Sequence, residues 1–140
     1  MYKKTINYTD FNGVDRKEDF YFNFMKAELV EMNMSTGGGL KSFIERITNT
    51  QDQIELIKLF KELVLKAYGI KSDDGKRFIK NQELRDAFEQ TNAYNELFMM
   101  LATNEKEAVK FINGIMPADL VAEAQKEANA LPSASTTPLT

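Results

Sequence analysis

The stretch from Thr50 to Gly69 constrains the fold most, because it predicts one long helix with both ends marked in the sequence. Thr50 followed by Gln53 matches a capping box, in which side chains bind the free backbone N–H groups at a helix start. Gly69 is a residue that readily takes the left-handed conformation at a helix end. At 1.5 Å per residue the helix would be about 25 Å long, enough to cross a small domain.

Apolar side chains cover most of this predicted helix. They form one row at helical spacing and a second row that widens it: Ile54, Ile57, Phe60, Val64 and Ala67, then Leu56, Leu59, Leu63 and Leu65. An apolar arc this wide indicates neighbouring elements on at least two sides. We therefore interpret the segment as the central helix of a small bundle, which is a structural role.

The composition excludes most catalytic sites. A chain of 140 residues corresponds to one domain, and it contains no cysteine and no histidine. Disulfides, thiolate metal sites and catalytic arrangements that need histidine are therefore impossible. No glycine-rich cofactor loop and no singled-out pair of carboxylates is present, so we expect no catalytic residue, no cofactor site, no metal site and no enzyme activity.

Charge and hydropathy argue against nucleic-acid and membrane partners. Lysine and arginine total 18 against 21 aspartate and glutamate residues, so the chain is slightly acidic. Phosphate-backbone binding would need a strong local cluster of basic residues. No apolar run is long enough to span a membrane, and the first residues lack the apolar core of a signal peptide.

Residues 2–24 predict a β-hairpin. Ile6 and Tyr8 alternate with polar residues, Phe20, Phe22 and Phe24 recur at every second position, and Gly13 lies in the turn. A two-residue loop would put the two apolar rows on opposite faces of the hairpin. We therefore predict a loop of about three or five residues with Gly13 in a left-handed conformation. Because an isolated hairpin is marginally stable, its apolar face must lie on the helices, on a second copy or on a partner, and we expect the helices. Whether the hairpin edge pairs with a strand of a partner stays open.

The middle of the chain contains two sequences that imitate ligand sites. The glycines before Lys41-Ser42 lack the spacing and the preceding strand of a phosphate loop, so we interpret them as a joint between helices. Asp73-Asp74-Gly75 does not align with the ligand positions of a calcium loop. The basic residues around it are interpreted as a solvated turn: Lys71, Lys76, Arg77 and Lys80.

Helix starts are marked by polar residues ahead of apolar spacing. Asparagine opens four predicted helices, at Asn23, Asn81, Asn92 and Asn104, and Gly114 is predicted to end the last of these. Pro117 begins an alanine-rich helix at 117–130 in which only Leu120 and Val121 are large apolar residues. We therefore expect that helix to be weakly docked and residues 131–140 to be a disordered tail.

These predictions combine into a mainly α fold. It comprises an N-terminal β-hairpin followed by a bundle of about six or seven short to medium helices. The hairpin and bundle form one domain over residues 1–116, followed by the C-terminal helix and the tail.

Several motifs together resemble a known family. They are the aromatic strand at 18–24, the turn at 74–80, Ala93-Tyr94 and the closing segment at 111–120. In this order they resemble the tail assembly chaperones of long-tailed, siphovirus-type bacteriophages of Gram-positive hosts. The resemblance covers roughly residues 5–120, most of the expected domain. It implies a protein that keeps the apolar, helical tape-measure protein soluble in the host cell cytoplasm and is absent from the mature virion.

Methionines are suited to such a contact because their side chains adapt to different partners. The predicted partner-binding residues are Met25, Met34, Met99, Met100, Leu120 and Val121. The resemblance implies the tape-measure protein as partner and the tail-tube protein as a second partner, and a homo-oligomer stays open. Two other functions also stay open: a structural component of the tail or connector, and a helical nucleic-acid-binding regulator.

Overall fold

The computed structural model describes residues 1–32, 42, 45, 46, 49 and 51–122. Four strands form one antiparallel sheet in the order β1-β2-β3-β4: β1 Tyr2–Thr9, β2 Asp15–Phe22, β3 Tyr68–Lys71 and β4 Phe78–Ile79. Within the described residues the bounded helices are α1 Lys26–Glu31, α2 Gln53–Ala67, α3 Gln82–Glu89, α4 Asn92–Thr103 and α5 Glu105–Ile115, and residues 118–122 are also helical. None of the described helices is long and apolar enough to cross a membrane.

The N-terminal hairpin confirms the prediction made from alternation. Tyr2 pairs with Phe22 and Thr9 with Asp15, so even-numbered residues face even-numbered residues across a five-residue loop at 10–14. Gly13 has a φ of 80°, in the left-handed region. The apolar rows therefore share one face, as the odd loop length requires.

The sheet is larger than the sequence predicted, because the segment after α2 forms two further strands. Tyr68 and Gly69 pair with β2, and Ile70 and Lys71 pair with β4. The prediction that Gly69 ends α2 in a left-handed conformation is wrong. A Cβ on Gly69 would lie 2.6 Å from Cε2 of Phe78, so glycine is required there for close strand packing.

The start of α2 also differs from the prediction. The N-cap is Asp52, whose Oδ1 accepts hydrogen bonds from the backbone N–H groups of Ile54 and Glu55 at 3.0 and 3.2 Å. The predicted capping box with Gln53 at its third position is therefore wrong, because Gln53 is the first helical residue. A carboxylate at this position also interacts favourably with the helix dipole.

The later helix starts are close to the predictions. Asn81 caps α3 and Asn104 caps α5, as predicted. Thr91 caps α4 one residue before the predicted start. Gly114 lies inside α5 and does not end it. A Cβ there would lie 2.6 Å from Cδ1 of Tyr2, so glycine serves the close approach of β1 to α5.

The first helix begins two residues later than predicted. Met25, not Asn23, is the N-cap of α1, and its backbone N–H donates to Oε1 of Glu28 at 2.9 Å. The predictions for 33–41 lie outside the described residues, as do most of those for the helix at 40–49.

An aromatic cluster joins the sheet to the helices. The ring centroid of Phe22 lies 5.3 Å from that of Phe111 and 5.9 Å from that of Phe88. Tyr68 stacks on Phe88 at 4.1 Å with an interplanar angle of 10°. The apolar face of the hairpin therefore packs on the helices, which confirms the predicted arrangement.

The segment after α5 is docked at its start. Leu120 is 1% exposed and belongs to the core, Val121 packs against the core, and Asp119 forms an ion pair with Lys26. Leu120 enters the core although few apolar residues follow it, and the weak docking of the helix at 117–130 stays a prediction. Residues 123–140, with the predicted tail at 131–140, lie outside the described residues, and the division at residue 116 stays a prediction.

Candidate functional site

An apolar groove lies between α2 and α4. Its volume is about 230 Å³, and its walls are formed by Gln53, Leu56, Ile57 and Phe60 of α2 and by Phe98, Leu101 and Ala102 of α4. We call it the α2–α4 groove. The wall residues recur at helical spacing on both helices, so each helix presents one face to the groove.

The N-terminal half of α2 leaves large apolar side chains exposed beside this groove. Ile54 is 67% exposed and Ile57 is 47% exposed, whereas Leu63 and Val64 further along the same helix are buried. Scattered exposed apolar residues are ordinary on protein surfaces. Ile57 belongs to the groove wall, and Ile54 lies three residues before it on α2 without lining the groove. A groove whose wall includes an exposed isoleucine is suited to a partner with an apolar surface.

The predicted partner-binding residues are dispersed in the structure. Met99 is 52% exposed and follows Phe98 of the groove wall, and Met25 is exposed at the start of α1. Met100 is half-buried and packs against the core, as do the buried Leu120 and the half-buried Val121. Met34 lies outside the described residues. None of the described members of this set lines the α2–α4 groove, and the role of the set in binding stays a prediction.

The comparisons with known proteins decide the family. A family model described as phage tail assembly chaperone matches residues 1–139. The chain belongs to this family. No curated protein and no solved structure matches it significantly. The resemblance seen in the sequence is thereby confirmed at the level of the family, whereas the host range and the siphovirus type stay predictions.

Membership gives the chaperone its general role. A phage tail assembly chaperone acts during the assembly of the phage tail, which implies binding to phage tail proteins. The α2–α4 groove is the apolar concavity in the described part of the chain that best fits such a role, because its walls come from two helices.

Sequence reasoning assigned the groove residues of this chaperone to the core. Ile57 and Phe60 fall on an apolar row of α2 that neighbouring elements of a bundle were expected to cover. The signal that pointed to the groove was the width of the apolar arc on α2, which exceeds what one neighbouring helix covers.

Lys80 of the predicted basic cluster has several structural partners. In the predicted basic cluster, the side chain of Lys80 is only 9% exposed, and it pairs with Glu28 at 2.5 Å. Its Nζ donates to the backbone oxygens of Asn23 and Lys66 at 2.9 Å each. Burial lowers the pKa of Lys80, and the Glu28 carboxylate opposes this shift. The interpretation of the cluster as a solvated turn is therefore wrong for Lys80, which joins three segments of the fold.

The hairpin loop is organised by Asp10. Its carboxylate accepts from the backbone N–H groups of Asn12 and Val14 and from Nε of Arg16, at 2.9, 3.0 and 2.6 Å. The bond from Arg16 is the main cause that lowers the pKa of Asp10. Donation from the Tyr8 hydroxyl to Glu18 raises the pKa of Tyr8. These contacts fix the loop, and no group of three metal-ligating side chains occurs among the residues described.

Proposed function

We propose that this chaperone binds the tape-measure protein during tail assembly, by stoichiometric association without catalysis. The observation that carries the proposal is the α2–α4 groove with Ile54 and Ile57 exposed beside it. The occupant is an amphipathic helix of the tape-measure protein, whose apolar stripe would lie between α2 and α4.

Apolar burial supports this mode of binding. A helix laid in a groove contacts it through residues at spacings of three and four, and a groove between two helices matches that pattern. Burying an isoleucine fully is worth about 1.5–3 kcal/mol, so covering two half-exposed isoleucines contributes about 1 kcal/mol each. Covering the apolar stripe of the client would also prevent its aggregation before the tube forms.

The chaperone then leaves when tail-tube subunits replace it along the tape-measure protein. This step makes the tail-tube protein a second partner and leaves the chaperone in the host cytoplasm, outside the mature virion. Finding it in purified virions at a fixed copy number would instead support a structural component of the tail.

Co-expression with the tape-measure protein tests the proposal. We expect a soluble complex of defined stoichiometry by size-exclusion chromatography with light scattering. The complex should persist at high salt, because salt screens exposed charge pairs and leaves apolar burial intact. A tape-measure protein that stays insoluble beside a separately eluting chaperone would contradict the proposal.

A pair of variants locates the contact. The double substitution Ile54→Asp and Ile57→Asp should weaken the complex at least about tenfold, because the bound helix would desolvate the carboxylate in the groove wall and the one that precedes it on α2. Val109→Asp is the matched control, since Val109 is half-exposed on α5 and does not line the groove. Equal losses in the two variants would show that the groove is not the contact.

A further inference from the structure

Two asparagines of the chain are followed directly by glycine, Asn12 and Asn113. Such an asparagine loses its side-chain amide when the backbone nitrogen of the next residue attacks the side-chain carbon, and glycine has no Cβ to obstruct that approach. Both asparagines are exposed, so access of water does not distinguish the two sites. The backbone around each pair therefore decides which of them reacts.

Asn113 lies within the regular backbone of α5. Gly114 is also inside this helix, and a Cβ on it would lie 2.6 Å from Cδ1 of Tyr2. In an α-helix each backbone nitrogen bonds to the carbonyl four residues earlier, which fixes the nitrogen of Gly114. Attack on Asn113 would distort the helix between Phe111 and Ile115, which are both fully buried. The fold therefore protects Asn113.

Asn12 lies at the tip of the hairpin, where nothing crowds the backbone. A Cβ on Gly13 would meet no described atom within 4 Å. The side chain of Asn12 makes no hydrogen bond to any residue that the structure describes. Its amide carbon is therefore able to turn toward the nitrogen of Gly13.

A second turn of the same kind has a side chain that is held. The N–H of Gly75 donates to the oxygen of Ser72 at 2.9 Å, as the N–H of Gly13 does to the oxygen of Asp10 at 3.0 Å. The Asp74 carboxylate, however, accepts from the N–H of Lys76 at 3.0 Å and from Oγ of Ser72 at 2.7 Å. These bonds lower the pKa of Asp74, and an ionised carboxylate resists nucleophilic attack.

The carboxylate of Asp10 restrains the loop that contains Asn12. It accepts from the N–H groups of Asn12 and Val14 and from Nε of Arg16. These bonds hold the loop in the conformation in which the N–H of Gly13 donates to the backbone oxygen of Asp10. That N–H must be released before its nitrogen attacks, so local opening of the loop limits the reaction.

We propose that Asn12 is a deamidation site of the folded protein and that Asp10 restrains the reaction. Hydroxide removes the proton from the nitrogen of Gly13, which forms a bond to Cγ of Asn12. The amide nitrogen leaves, takes a proton from water and departs as ammonia. Water then opens the cyclic imide to aspartate or isoaspartate, so the net reaction consumes one water and releases one ammonia.

The product changes the hairpin loop in two ways. Residue 12 gains a negative charge beside the Asp10 carboxylate, and like charges in contact repel. In isoaspartate the main chain runs through the former side chain, which adds one atom to the backbone of the loop. This site lies on the hairpin and is independent of the α2–α4 groove and of the proposed function.

Peptide mapping by mass spectrometry of the full chain, aged at mildly alkaline pH, tests the proposal. In the folded protein Asn12 should convert at least about tenfold faster than Asn113, because the loop opens more readily than α5. In urea the two should convert at similar rates, since each then precedes glycine in an unfolded backbone. Equal rates in the folded protein, or no conversion at Asn12 while the unfolded chain converts fully, would overturn the proposal.

Two variants test the roles of the individual residues. Asp10→Ala should speed conversion at Asn12 at least about threefold, because the N–H groups of Asn12 and Val14 lose their acceptor. Conversion at Asn113 should stay unchanged and so report that the fold is retained. Asn12→Gln is the matched control and should abolish the conversion at residue 12, because its longer side chain disfavours ring closure. An unchanged rate at Asn12 in Asp10→Ala would overturn the restraint by Asp10.

Discussion

The two halves of α2 have similar apolar sequences and different surroundings. Phe60, Leu63, Val64 and Ala67 in the C-terminal half are buried. In the N-terminal half Ile54 and Ile57 are exposed beside the groove. The C-terminal half leads into Tyr68 of the aromatic cluster and pairs with α3 through Lys61 and Glu89 at 2.6 Å. The comparison teaches that an apolar row identifies surface to be covered but does not identify what covers it.

The largest expected effect distinguishes the two halves directly. Leu63→Ala should lower the free energy of unfolding by about 2–5 kcal/mol, because it leaves a cavity in the core. Ile57→Ala should lower it by less than about 1 kcal/mol, because the side chain is half-exposed in the folded protein. Urea unfolding measures both. Similar losses would show that Ile57 is covered as completely as Leu63.

The junction between the C-terminal half and the sheet is sensitive to one added methyl group. Gly69→Ala should cost about 1–3 kcal/mol of unfolding free energy, because the new Cβ meets the Phe78 ring and Cγ of Lys80 below 3.0 Å. Thermal unfolding measures the loss. The double variant with Phe78→Leu should recover part of it, and a neutral Gly69→Ala would contradict the close packing.

The N-terminal half depends on its cap. Asp52→Ala should lower the unfolding free energy by about 1 kcal/mol, because the N–H groups of Ile54 and Glu55 lose their acceptor. Asp52→Asn retains a capping oxygen and should cost a few tenths of that value. Urea unfolding measures both free energies, and equal values for Asp52→Ala and Asp52→Asn would contradict capping by Asp52.

The smallest expected effect on the free energy of unfolding concerns the hairpin loop, which lies away from both halves of α2. The Arg16 contact lowers the pKa of Asp10 below its ordinary value of 3.8. A lowered folded-state pKa contributes stability that is present above pH 3.8 and is lost as the pH falls through the folded-state pKa. The stability difference between the wild type and Asp10→Asn should therefore shrink between pH 6 and pH 2. A constant difference across this range in urea titrations would contradict the assignment.

Local patterns predicted the parts of the fold that local chemistry decides. The odd hairpin loop followed from the parity of Ile6 and Phe20, and the caps at Asn81 and Asn104 followed from side chains that reach their own helix starts. The groove was missed because Ile57 and Phe60 have the same helical spacing, although only Phe60 is buried.

By itself the sequence determined the helical class, the parity of the hairpin pairing and the absence of histidine and cysteine chemistry, because these depend on residue identity and on neighbours a few positions away. Only the tertiary structure decided that Gly69 and Gly114 serve close packing, that Lys80 pairs with Glu28, and that the buried residues of α2, among those described, lie in its C-terminal half. These features depend on residues distant in sequence, such as Phe78 and Tyr2, whose approach no local pattern encodes.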